Sequence, residues 1–146
     1  DILPTIAEIT GTELPGHEID GLSILPILRG EKDAEPRKSF YYYYHSNNLE
    51  AVRMGQWKLV FPHDHRSYEK VLPGNDGFPG PYSQGRAEYA LYNLRRDPGE
   101  RYDVKEQHPG ILAEMEKLAE QAREDIGDNL TGREGKNRRQ PGRLSE

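Results

Sequence analysis

The chain has 146 residues, enough for one ordinary domain or part of a larger one, and only 34% of them are hydrophobic. With a mean hydropathy of −0.95 the core must be small, about what one modest sheet with one helix across it can bury. A net charge of −5 argues against a broad nucleic-acid surface. The lack of cysteine excludes disulfides, zinc–thiolate sites and a thiol nucleophile within these residues, and no apolar run approaches the roughly 18 residues of a membrane span.

The chain opens on Asp1 in what reads as a helix, so a fragment or processed product is one expectation. Residues 3–11, LPTIAEITG, place Leu3, Ile6, Ala7 and Ile9 on one side, with Pro4 in the first turn and Gly11 at the stop. Residues 16–30 read as a loop and a helical turn anchored by Leu22, Ile24, Leu25, Ile27 and Leu28. SFYYYYHS (39–46) is a strand by composition, and LEAVRMGQWKLVF (49–61) a hairpin turning at Met54-Gly55-Gln56. Residues 62–86 show no periodicity and are rich in glycine and proline, which predicts a long loop. YALYNL (89–94) is another strand and RRDPGE (95–100) a turn. From Pro109 to about Ile126 the apolar residues Ile111, Leu112, Met115, Leu118, Ala119 and Ala122 recur at three- and four-residue steps, the mark of an amphipathic helix. The tail from residue 128 has almost no apolar residue and is expected to be irregular, ordered only where it lies against something. The fold class is therefore α+β: a four-stranded antiparallel sheet with one amphipathic C-terminal helix packed on it.

The chemistry concentrates in FPHDHRSYE (61–69). On a strand, His63 and His65 stand on one face about 6–7 Å apart, a spacing that can chelate a metal. Two ligands leave a tetrahedral site half empty, and His45 is a third only if its strand lies close by. The same cluster, with Arg66, suits a rim that contacts an anionic substrate, or is plain surface. FYYYY is either a sugar-stacking platform or ordinary cross-strand packing, and RRDPGE either a phosphate site or a solvated turn. NLT (129–131) fits a glycosylation sequon. No pair of carboxylates forms a clear acid–base couple, and no catalytic or metal-ligating set is assigned to this chain.

Taken in order, DILPTIAEITG (1–11), IDGLSILPILRG (19–30), LEAVRMGQWKLVFPH (49–63), LYNLRRDPGE (91–100), the helix after HPG (108–110) and GKNRRQPG (135–142) resemble the C-terminal portion of the sulfatases, in the arylsulfatase A-like and N-acetylgalactosamine-6-sulfatase-like branch. Asn93 and Asp103 depart from the pattern, where Asp and Asn respectively are expected. The resemblance implies the C-terminal subdomain of an alkaline-phosphatase-like fold. Residues 1–30 would be the last helical elements of an upstream catalytic domain, 31–127 the subdomain and 128–146 a tail. It implies a sulfuric ester hydrolase acting on sulfated carbohydrate in a periplasmic, secreted or lysosomal setting. Formylglycine and calcium would belong to the upstream domain, because no C/S-x-P-x-R motif occurs here. By position His63, and less directly His65 and Arg66, would contact substrate, with no nucleic-acid or membrane partner. The chain would then be inactive alone. The alternatives are a stand-alone carbohydrate-binding or interaction module, and a metal-binding module using His63 and His65.

Overall fold

The computed structural model describes residues 1–138 and divides into two compact units, Asp1–Lys38 and the residues from Ser39 onward. The tail beyond residue 138, with the end of the GKNRRQPG motif, lies outside the described residues.

The first unit holds helix α1 (Ile2–Thr10) and the single turn α2 (Leu25–Leu28). Thr5 fixes the inward face of α1: its hydroxyl donates to the Asp1 carbonyl at 2.7 Å and accepts from the Ile24 amide at 3.0 Å. Asp1 accepts from the Leu22 amide at 2.9 Å and pairs with Arg37. The buried side of α1 is therefore Pro4, Thr5 and Ala7. Of the apolar side, Ala7 turns in while Leu3, Ile6 and Ile9 are 54, 53 and 60% exposed. Of the expected anchors only Leu25 is buried, while Leu22, Ile27 and Leu28 stay exposed. A unit this short has too little chain to cover all its apolar side chains, so polar bonds to the loop decide which face turns in.

In the second unit β1 (Ser39–Tyr44), β2 (Asn48–Met54), β3 (Trp57–Val60) and β6 (Ala90–Asn93) form one antiparallel sheet in the order β1–β2–β3–β6. Helix α3 (Pro109–Asp125) crosses one face, placing Met115, Ala119 and Ala122 on Leu49, Val52, Leu59, Phe61 and Leu91. This is the α+β architecture that composition and periodicity predict. Leu59 and Leu91 are fully buried, so truncating either to alanine costs about 2–5 kcal/mol. Within the tyrosine run, Tyr41 and Tyr43 pack on this core. On the other face Phe40 meets Tyr42 edge-on at 4.9 Å, and the Lys58 ammonium lies over the Tyr42 ring.

Two features escape the sequence reading. Residues 62–86 are not one loop: β4 (His63–Ser67) and β5 (Ser83–Ala87) pair antiparallel as a separate ribbon, with His65 opposite Gly85 and Asp64 opposite Arg86. Both of its faces are polar, so no apolar alternation betrays it. Residues 127–137, expected to order only against something, do lie against the sheet and helix. Gly127–Asp128 (β7) and Arg133–Glu134 (β8) form a two-residue ribbon. Its backbone passes so close to itself that a Cβ on Gly127 would meet the Gly135 nitrogen at 2.6 Å. Asp128, fully buried, accepts from the Leu49 amide at 3.1 Å, the Leu130 amide at 2.9 Å and Arg123 Nε at 3.0 Å. The Tyr43 hydroxyl lies 2.8 Å from the Gly127 carbonyl and 3.1 Å from that of Ala122, sharing its one proton between them. Burial first, then the Asp128 charge, pushes that phenol up to about 12.

Candidate functional site

The site begins with an irregularity in β2. Tyr42 pairs with Ala51 but Tyr43 pairs with Leu49, so Glu50 is an extra residue without a partner on β1. Such a bulge re-aims a side chain and breaks the two-residue alternation. That is why Leu49 and Val52, three apart, both reach the core, while Glu50 leaves it. The Glu50 carbonyl accepts the Phe61 amide at 2.8 Å, holding the end of β3 where the chain passes into β4.

His63 is drawn inward at this point. Its Nδ1 lies 2.7 Å from the Phe61 carbonyl, and its Nε2 lies 3.2 Å from Glu50 Oε2. With Nδ1 donating to a carbonyl, Nε2 is left facing the carboxylate. Both side chains are mostly buried, 11 and 15% exposed. The other carboxylate oxygen, Glu50 Oε1, is buried with no hydrogen-bond partner among the described residues. Such an oxygen normally finds a partner, so one is expected to reach it from outside this set.

Beyond this pair opens a cleft of about 620 Å³. Tyr44, His45 and Glu50 come from the β1–β2 side, and Asp64, His65, Arg66 and Tyr68 from β4 and the chain after it. His65 and His63 keep the spacing of alternate strand residues, ring centroids 6.0 Å apart. The His65 ring lies over Gly85, where a Cβ would meet Nε2 at 2.8 Å, so only glycine leaves the ring in place. The Arg66 guanidinium lies over the Tyr82 ring, 4.8 Å from its centre. Asp64 pairs with Arg86 at 3.0 Å. His45, in the turn just after β1, which borders β2 and not β3, nonetheless lines the same cleft as His65.

Of the three residues singled out from sequence, His65 and Arg66 line the cleft and His63 does not. Glu50, Tyr44 and Tyr68 were missed. The one signal for Glu50 was the pair of apolar residues Leu49 and Val52 out of step for a strand. Two imidazoles and a guanidinium on an open cleft can donate hydrogen bonds to an oxyanion or to sugar hydroxyls. The metal reading finds no support in this geometry, because both nitrogens of His63 face oxygen atoms of the protein. Among the described residues no group of three or more His, Cys, Asp or Glu is placed to hold a metal. The calcium and formylglycine implied by the sulfatase resemblance do not fit the residues present: there is no such oxygen-ligand group and no C/S-x-P-x-R. No described helix is long and apolar enough to cross a membrane.

The family described as the C-terminal region of aryl-sulfatase matches residues 35–141. The chain is similar to the N-acetylgalactosamine-6-sulfatase of Sus scrofa, 30% identical over 129 residues that cover 81% of this chain and 24% of that one. It is similar to the arylsulfatase of Hemicentrotus pulcherrimus, 37% identical over 119 residues, 72% of this chain and 21% of that one. It is similar also to arylsulfatase A of Homo sapiens, 27% identical over 107 residues, 71% of this chain and 21% of that one. The chain thus spans a quarter or less of the length of these relatives. With the family pattern covering the sheet, the ribbon bearing His63, His65 and Arg66, and helix α3, the chain belongs to the family of aryl-sulfatase C-terminal regions.

Proposed function

We propose that this chain serves as the C-terminal part of a sulfuric ester hydrolase acting on sulfated glycans. In this reading it braces an upstream catalytic domain, which supplies the formylglycine and calcium, and is inactive alone. The enzyme works in a periplasmic, secreted or lysosomal setting. The family match over residues 35–141 supports the hydrolase reading. The rim assignment rests on His65 and Arg66 sharing one open cleft at a strand end. There His65 and Arg66 bind the sugar or its anionic substituents. His63 acts beside them, holding Glu50 in place at the cleft wall.

The test uses the full enzyme that carries this chain. His65→Ala and Arg66→Ala should each raise KM for a sulfated oligosaccharide about tenfold, with little change in kcat on a small aryl sulfate. His63→Ala should weaken glycan turnover and also lower Tm, because it leaves Glu50 buried without its partner. Unchanged glycan kinetics in all three variants would remove the rim assignment. A full-length protein unable to hydrolyse any sulfate ester would remove the hydrolase reading.

A further inference from the structure

A second cleft lies at the other end of β3. The β2–β3 turn, the residues after β6 and the start of α3 converge on a space of about 630 Å³ lined by Gln56, Trp57, Asn93, Arg95, Arg96 and His108. The His108 ring rests against Trp57, centroids 4.6 Å apart, which gives the cleft a rigid wall. Asn93 shapes the turn: its carbonyl accepts the Arg96 amide at 3.0 Å and the Asp97 amide at 2.8 Å, and its side chain accepts the Arg95 amide at 3.2 Å. These bonds occupy backbone groups and leave both guanidiniums unspent. Neither the Arg95 nor the Arg96 side chain has a partner among the described residues. The acids nearby are committed elsewhere. Asp97 accepts the amides of Arg101 at 2.7 Å and Tyr102 at 2.8 Å, and Glu100 pairs with Lys58 at 2.6 Å.

Two guanidiniums with no partner among the described residues line one cleft together with the Gln56 and Asn93 amides, a surplus of donors over acceptors. The chain carries a net charge of −5, so a polyanion is repelled over most of the surface and held only where charge is concentrated. We infer that this cleft is an oxyanion-binding site that takes a sulfate group, the planar forks of Arg95 and Arg96 donating in pairs to its oxygens. The sulfate is either the free ion or an ester on a glycan chain. In the second case the cleft is a second hold on a long substrate, and linkage to the first raises avidity. Sulfate as the oxyanion rests on the sulfuric ester reading; oxyanion binding as such rests on the arginines alone.

Trp57 is the single tryptophan of the 146-residue chain, so its fluorescence reports on this cleft. The probes are inorganic sulfate, a sulfated hexasaccharide and its desulfated counterpart, each titrated against chloride at matched ionic strength. Sulfate and the sulfated sugar should give a saturable change and the desulfated sugar none. Arg95→Ala/Arg96→Ala should weaken both at least tenfold, and Lys117→Ala, exposed on α3 and outside both clefts, should not. Arg95→Lys/Arg96→Lys keeps the charge without the fork and should lose about threefold, which separates recognition from misfolding. A sulfated sugar bound ten times tighter than sulfate assigns the ligand to a glycan chain; equal affinity assigns it to the free ion. No saturable change with either probe, or full affinity in the double alanine variant, overturns the site. The readout needs no hydrolysis, so binding here beside a full-length enzyme that cleaves no sulfate ester refutes only the hydrolase reading, and a full-length enzyme that cleaves esters while this cleft binds neither probe refutes only this inference.

Discussion

At the scale of single residues, Asp128 carries the most consequence. It has no solvent exposure, and its two oxygens serve three donors on three segments: Leu49, Leu130 and Arg123. Arg123 in turn lies over the Phe61 ring at 4.4 Å, so the ion pair is roofed by the hydrophobic core. A buried pair of this kind adds little over a hydrophobic replacement of both partners, but removing one partner is expensive. Asp128→Asn should therefore lower the free energy of unfolding by about 3 kcal/mol, read from the urea midpoint at constant slope. A loss under about 1 kcal/mol would mean that the pair is hydrated in solution. Nothing in DNLTGREG marks Asp128 as buried: it sits in a mostly polar run, and the Leu49 amide that it caps lies 79 residues away in sequence. Glu50 is a parallel case, a charged residue whose sheltered place beside His63 depends on a bulge that only the pairing register reveals.

At the scale of elements, Asp103 joins the short 3-10 turn Lys105–Gln107 to β6. Its Oδ1 accepts the Leu91 and Lys105 amides, each at 3.0 Å, and its Oδ2 meets the Lys105 ammonium. Burial alone pushes this carboxyl up, but the Lys105 ammonium and the two amides outweigh it and hold it below the usual carboxylate range. A depressed carboxyl contributes stability above the unfolded value near 4, and that stability is lost as pH falls through the lower folded value. Asp103→Asn should thus cost up to about 1 kcal/mol at pH 7, since the pair is partly exposed, and the difference should shrink as pH falls below the ordinary carboxylate range. A gap that persists in acid would assign the effect to shape instead of charge. The elements that were legible are those with a period. Helix α3 buries Met115, Ala119 and Ala122 as its spacing predicts, and β1 turns Tyr41 and Tyr43 inward. The β4–β5 ribbon was not, because HDHRS and SQGRA have no apolar face to repeat. Helix α1 forms where its pattern predicts, and Thr5, bonded to the loop, turns in while its leucine and isoleucines stay exposed. The candidate cleft was half legible for the same reason: His65 and Arg66 stand out by type, whereas Tyr44, Glu50 and Tyr68 are recruited by register.

At the scale of the whole molecule, the core cluster lies entirely in the second unit, from Leu49 to Ala122. The first unit carries a row of exposed apolar side chains at Ile2, Leu3, Ile6 and Ile9. Apolar surface gathered in this way marks a contact surface or an association hazard. Deleting residues 1–38 should therefore leave one cooperative thermal transition. It should also abolish concentration-dependent association of the chain, measured by sedimentation. A deletion that melts the sheet, or that associates as before, would place the vulnerable surface elsewhere.

The clasp at Asp128 also sets an order of events during synthesis. The Leu49 amide waits for a partner 79 residues later, and the Tyr43 hydroxyl for one 84 residues later. Domains form as the ribosome delivers them, at about 5–20 residues per second, so the first hairpin of this sheet spends several seconds with those groups facing water. Until residue 128 emerges, the Leu49 amide at the bulge of β2 is without its carboxylate partner. A stop codon just after α3 would remove none of the residues that make up the hydrophobic cluster, yet would leave the nascent hairpin without its closing bonds and exposed to chaperones and proteases.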